Sequence, residues 1–389
     1  MGIINSLPYI LFVFLYVILA IYEIRIKEEE VRKKQIIRIV CISFYILFFG
    51  FRGLIGWDWY NYYPFFEKLP LLNTPHFSKI FNSLGFEIGF KIYSLAIKTL
   101  ISNYNIYVLI STIINVTLLN IFLKRYTTHY AFAFLIYLVM GGIPTEIDLL
   151  RNSKSIFLFL ISLKYVHERK FIPFLICNLI GVSFHTTSIL FIPLYFVLTK
   201  VFSRNLFIIL FIIGNLIFVL QIQYLEPILK FVAGLIGGKV SYLVSAYFEI
   251  SGAKAYGLTI GYIERIISFL LLIIYHDKLL KGNSYNVIFI NSFMIYFLLF
   301  FYFGEIRIVT LRITNLFYYP YWILMPAIYE NIKIHTNKNI FLVYLVATSL
   351  LKTNGLTNLP NYKYDNFILN EKSYNERIPG LKKALQLSN

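Results

Sequence analysis

Arg52 and Asp58, Glu87, the turn holding Glu146, Asp148 and Arg151, then His185, and finally Glu305, Arg307 and Arg312 stand beside long apolar runs. Charge at the mouth of a membrane span is costly to hold near hydrocarbon, so such groups are functional candidates by default. Arginine grips phosphate and diphosphate through planar, bidentate contacts. A carboxylate or an imidazole can take the proton of an attacking sugar hydroxyl. Trp57 and Tyr62 lie in the aromatic stretch 51–66 and offer flat faces with a polar edge, suited to a sugar ring. Gathered around one cavity, these groups would suit the chemistry of a phosphate-linked sugar. Each also has a structural alternative. Arg52 would snorkel to the interface, Asp58 would be a turn residue, and Glu87 would complement a helix dipole. Arg151 would pair with Asp148, and His185 would satisfy a helix break.

The elements that must position these groups are read from composition. Of 389 residues, 58% are hydrophobic and 14% charged, with a mean hydropathy of +0.70. Soluble domains carry about 25% charged residues, so the chain is a membrane protein, all-α and polytopic. Apolar runs at 7–22, 36–51, 104–123, 129–143, 153–166, 171–184, 187–200, 205–223, 258–275, 285–303, 312–329 and 339–351 predict about twelve spans (range 10–13) in one integral membrane domain, 1–389. The formal charge of +17 is spread over short loops, which argues for membrane orientation and against a nucleic-acid partner. Cys41 and Cys177 fall inside apolar runs, so no disulfide is expected. The remaining histidines have no ligand spacing, so neither metal nor cofactor is expected.

Arg25, Lys27, Arg32, Lys33, Lys34 and Arg38 place the first connection on the cytoplasmic side. Alternation then brings the other basic loops (Lys124–Arg125, Lys164–Lys170, Lys200–Arg204, Lys278–Lys281, Lys333–Lys338) to that side. All the polar turns, and both termini, go to the outer face. This holds if residues 80–100, amphipathic at helical spacing, lie in the interface rather than span. The outer segments are then 52–103, with that interfacial helix, and 224–257, whose Gly234, Gly237, Gly238, Gly252 and Gly257 with Tyr242, Tyr247 and Tyr256 would allow a mobile cover. Residues 352–389 are read as a C-terminal tail.

In series, these pieces resemble the EpsG/Wzy-like family of bacterial polysaccharide polymerases. Arg52 to Tyr62, with Gly56 and Asp58 in register, looks like its R-x₃-G-x-D-x₃-Y element, and Phe86 to Phe90 like its E-x-G-F element. Leu150-Arg151-Asn152 resembles its I-R-Q element, with Asn152 in place of Gln. Ser183 to Ser188 looks like the element around its histidine; Arg312 and Asn361 to Asp365 match more loosely. The resemblance implies transfer of glycan repeat units from an undecaprenyl-diphosphate carrier to a lipid-linked acceptor, at the outer face of the bacterial cytoplasmic membrane. Its partners would be that oligosaccharide-lipid, the bilayer and a candidate chain-length regulator. Arg52, Arg151 and Arg312 would hold the diphosphate, and Trp57 and Tyr62 the sugar. Asp58, Glu87 or His185 would be the base, a carboxylate in that role having a raised pKa. A ligase or another lipid-sugar glycosyltransferase shares the donor and differs in acceptor. A lipid-linked oligosaccharide flippase would need a polar path open to both sides.

Overall fold

A computed structural model describes residues 2–388 except 28, 239, 240, 243, 246, 247, 249–256, 370 and 371. Each predicted apolar run coincides with helical structure. Gly2–Ile24 (α1), Tyr104–Tyr126 (α6), the interrupted stretch Tyr130–Ile147 (α7 and α8) and a late helix, His335–Thr357, are long and apolar enough to cross a membrane. Several other runs fold as shorter apolar helices, among them Phe171–Phe184, Arg204–Val219 and Asn286–Tyr302. Two compact units form, one from residues 1–197 with 325–389 and the other from 198–324.

In the first unit α1 is followed by Val31–Tyr45 (α2), whose last turn widens over Ile46–Gly50. This wider turn delivers Arg52 inward, where it is buried. Three short helices follow: Trp59–Lys68 (α3), Phe77–Ser83 (α4) and Ile88–Leu100 (α5). Helix α3 buries Trp59, Tyr62, Phe65, Phe66 and then Leu69, a helical stripe, onto Phe81, Phe90, Tyr104 and Tyr107. The amphipathic helix expected over 80–100 is thus broken at Leu84–Glu87. Its main part, α5, has 13 residues; at about 1.5 Å per residue it rises about 20 Å, short of a bilayer's hydrocarbon.

The face that α5 buries is unexpected. Lys91 and Lys98 point inward with Phe90, Ser94 and Ile97, while Ile88, Ile92 and Leu100 are exposed. Carbonyls at helix ends explain this. Lys98 Nζ donates to Phe66 O (2.6 Å) and Glu67 O (2.8 Å) at the end of α3. Lys91 Nζ donates to Phe81 O at 3.1 Å, within α4. A cation at a helix C-terminus satisfies orphan carbonyls and the dipole together.

Helix α6 runs Tyr104–Tyr126, and α7 (Tyr130–Tyr137) leads through a break at Met140–Gly141 into α8 (Ile143–Ile147). Asn152–His167 (α9) packs on Phe171–Phe184 (α10), and a 3₁₀ segment follows from Thr186 to Phe196.

The second unit holds Arg204–Val219 (α11), Leu225–Ile236 (α12), Ile260–Gly282 (α13), Asn286–Tyr302 (α14) and Arg307–Thr314 (α15). The chain returns to the first unit along Tyr319–Asn331 (α16) and continues as His335–Thr357 (α17) and Tyr374–Ser388 (α18). The segment read as a Gly/Tyr-rich cover opens with α12, and its Tyr247, Gly252 and Tyr256 lie outside the described residues. Glu305, read as an outer polar group, caps α12: its carboxylate accepts from Tyr224 N (3.0 Å), Leu225 N (2.8 Å) and Glu226 N (2.9 Å). Residues 352–389 do not hang free. Gly53 N donates to Asp365 O (2.9 Å) and Gly56 N to Asn361 O (3.0 Å), so the tail clamps the loop that carries Asp58.

Candidate functional site

The sequence candidates of the first unit separate into a buried scaffold and an open groove. Arg52 belongs to the scaffold. Its Nη1 lies 3.3 Å from Glu146 Oε1 and donates to Phe49 O (2.6 Å) and Thr112 Oγ1 (3.0 Å), while Nη2 donates to Glu146 O (2.6 Å). Glu146 also accepts from Thr112 (2.6 Å), Asn115 (2.8 Å) and Tyr45 (2.9 Å). A buried ion pair survives desolvation only when its remaining donors and acceptors are met this fully. Arg52 was expected to face a diphosphate; the turn ending α2 instead sends it into this network, so it braces the loop from behind. Lys154, one turn into α9, joins the network by donating to Asn115 Oδ1 (2.7 Å) and Ser111 O (3.2 Å).

Between scaffold and groove stands Asp148. Its Oδ1 accepts from Trp57 N (2.6 Å), and its other oxygen pairs with the Tyr362 hydroxyl. The structural alternative for Arg151, a pair with Asp148, is not the pair formed; Arg151 pairs with Glu87. Gly56 makes the approach possible: its φ is +84°, and a Cβ there would run into Asp148 Oδ1. The Trp57 indole is half-buried against the aromatic core under α3; it is not among the groove-lining residues.

Burial pushes the Asp148 carboxyl up to about 6, against the lowering effect of Tyr362 and of the Trp57 and Asp58 N–H groups. The folded value lies above the ordinary 3.8, so the folded loop prefers the protonated acid. That stabilisation is complete below pH about 4 and is lost as pH rises through about 6. Melting of the purified protein between pH 4 and 7 should therefore show a decline that Asp148→Asn removes, since the amide oxygen still accepts from both N–H groups. Parallel curves for the two proteins would contradict this.

The groove, about 300 Å³, is lined by Asp58, Asn61, Tyr62 and Lys68 of the α3 segment with Leu84, Phe86 and Arg151. Pockets for small ligands begin at about this size. Asp58 is the N-cap residue of α3, just before Trp59. Arg151, at the start of α9, is half-buried. Its Nη1 pairs with the Glu87 carboxylate and its Nε donates to Tyr62 OH at 3.2 Å. The guanidinium also lies over the Phe86 ring, 4.8 Å from its centre. Glu87 additionally accepts from Thr186 N at 3.4 Å. This carboxylate thus ties α5, α9 and the break after α10. Gly89 permits the approach, because a Cβ there would meet Ser183.

Burial raises Glu87, but its own backbone hydrogen bonding and the Arg151 guanidinium outweigh that and hold it below the usual carboxylate range. The raised pKa expected for a carboxylate base is thus found at Asp148 and not at Glu87. His185 sits at the break before the 3₁₀ segment. Its Nδ1 lies 2.7 Å from Thr187 Oγ1 and accepts from Thr187 N at 3.3 Å, so it caps that segment beside Glu87. Arg312 is an exposed residue of α15 in the second unit. Asp58, Tyr62 and Arg151 therefore line one groove, Glu87 holds its arginine, and His185 backs Glu87.

Lys68 and Asn61 were missed by sequence reasoning. The helical stripe of α3 could have shown that they share its unburied face with Asp58. The sequence shows Asp148 as an outer charge and a candidate partner of Arg151; the Gly56 two residues before Asp58 is the signal for its contact with the loop. Among the described residues no cluster of His, Cys, Asp and Glu has metal-binding geometry.

This arrangement defines a helical membrane protein in which an arginine, paired with the Glu87 carboxylate, shares an aromatic-walled groove with the carboxylate of Asp58. The chain belongs to the EpsG family, whose family model matches residues 35–366. Neither a curated protein nor a solved structure matches it. The match covers α2 through the tail that clamps the groove, and membership points to an exopolysaccharide-type polymerase.

Proposed function

We propose that the groove transfers a glycan repeat unit from a polyprenyl-diphosphate carrier to the free sugar hydroxyl of a second lipid-linked unit, at the outer face of the cytoplasmic membrane. The observation that carries this reading is the meeting of Asp58, Tyr62 and Arg151, with Lys68, in one open groove. Asp58 acts as the base. Its carboxylate lines the groove beside Arg151 and Lys68, and neither Glu87 nor His185 is among the residues that line it. The hydroxyl oxygen attacks the anomeric carbon, its proton passes to Asp58, and the bond from that carbon to the diphosphate oxygen breaks. Arg151 and Lys68 compensate the charge that collects on the leaving diphosphate. Glu87 keeps the guanidinium oriented, and Tyr62 and Phe86 give the sugar an aromatic wall.

A strain lacking the protein should accumulate carrier bearing one repeat unit, and the purified protein in liposomes should convert that lipid into a ladder of longer chains. Accumulation of long carrier-linked polymer would indicate a ligase instead. Failure of the lipid to reach the outer leaflet would indicate a flippase.

A further inference from the structure

A second cavity, about 580 Å³, lies behind the groove loop. It is bounded by the first turn of α1, the turn after α17 and the helix α18, and none of its residues takes part in the groove. Four cations line it, Lys363, Lys372, Arg377 and Lys383, against the carboxylate of Glu376. That carboxylate is turned to the start of α18, accepting from Ser373 N (2.8 Å) and Ser373 Oγ (2.7 Å) as in a capping box. Arg377 is buried and spends its guanidinium on carbonyls: Leu54 O at 2.6 Å, Lys363 O at 2.9 Å and Asn361 O at 3.4 Å. Among the described residues no carboxylate pairs with Lys363, Lys372 or Lys383.

The rest of the lining is apolar: Ile4, Leu359 and Leu387. Ile4 continues the outward stripe of α1 (Ile3, Leu7, Leu11, Phe14 and Ile18 are all exposed), the face such a span turns to lipid. The cavity therefore opens beside the first turn of that candidate span, and the end of a span lies at the depth of the headgroups. A soluble anion would use the lysines and leave the apolar wall idle. A neutral lipid would use the wall and leave the lysines unmatched. A phosphate carried on an acyl or prenyl chain uses both.

We propose that this cavity binds the phosphate headgroup of an anionic membrane lipid, with Lys363, Lys372 and Lys383 on the phosphate and Ile4, Leu359 and Leu387 along the start of its chain. Arg377 links the occupied cavity to the loop before Asp58 through Leu54 O. The site stands apart from the transfer chemistry, so binding alone tests it.

The full chain in mild detergent is melted with added phosphatidylglycerol, a polyprenyl phosphate, phosphatidylcholine or inorganic phosphate. One or both of the first two should raise the melting temperature by several degrees, identifying which lipid is bound, while the last two leave it unchanged. The combined Lys363→Gln, Lys372→Gln, Lys383→Gln variant should lose most of that shift while melting like the wild type in phosphatidylcholine. If the triple variant does not fold, Lys383→Glu, at an exposed position of α18, should at least halve the shift. No shift with either anionic lipid, an equal shift with phosphatidylcholine or inorganic phosphate, or a full shift in the variants would overturn the proposal.

Discussion

Arg151→Lys is expected to lower the transfer rate about 100-fold, and Arg151→Ala about 1,000-fold, the range seen when one preorganised charge on a leaving group is removed. The argument is geometric. Arg151 pairs with Glu87, donates to Tyr62 OH at 3.2 Å and rests on the Phe86 ring, so three neighbours hold one planar group. A lysine supplies the charge but neither the fork nor the flat face. Lipid-linked substrate and purified variants in liposomes give the rates, and melting curves separate this from a folding defect. A structural arginine would lower the melting temperature and leave the rate per folded molecule unchanged.

Asp58→Asn is expected to cost about 100- to 10,000-fold in kcat with little change in KM, because a general base acts on the bond being made more than on the substrate at rest. Glu87→Gln should behave differently. Its carboxylate is held below the ordinary range and engages Arg151, so loosening that arginine should raise KM and lower kcat together. Equal kcat losses with unchanged KM in both variants would remove the distinction between base and positioning residue.

Much of the helical order was legible because a span of apolar residues has few alternatives in lipid. The four elements around Arg52, Glu87, Arg151 and His185 were legible as types and spacings, and three of the proposed site residues, Asp58, Tyr62 and Arg151, do meet in one groove. The direction each side chain takes was not legible. Arg52 and Arg151 look alike in sequence, yet one is consumed by Glu146 and the other opens to the groove, since only the former follows the widened turn of α2. Residues 80–100 are legibly amphipathic, but nothing local shows that Lys91 and Lys98 turn to the buried face of α5, where carbonyls of α4 and α3 accept from them. The contacts from Asn361 and Asp365 to the groove loop join residues some three hundred positions apart, and that from Tyr362 to Asp148 spans 214, beyond any local pattern.

The most direct measurement is the ladder of chain lengths made by Asp58→Asn, in cells and from purified protein in liposomes with lipid-linked repeat units. Melting behaviour must match the wild type. The expected result is single repeat units with few or no longer chains. Normal long chains from the folded Asp58→Asn protein would contradict the assignment of the groove as the site of transfer.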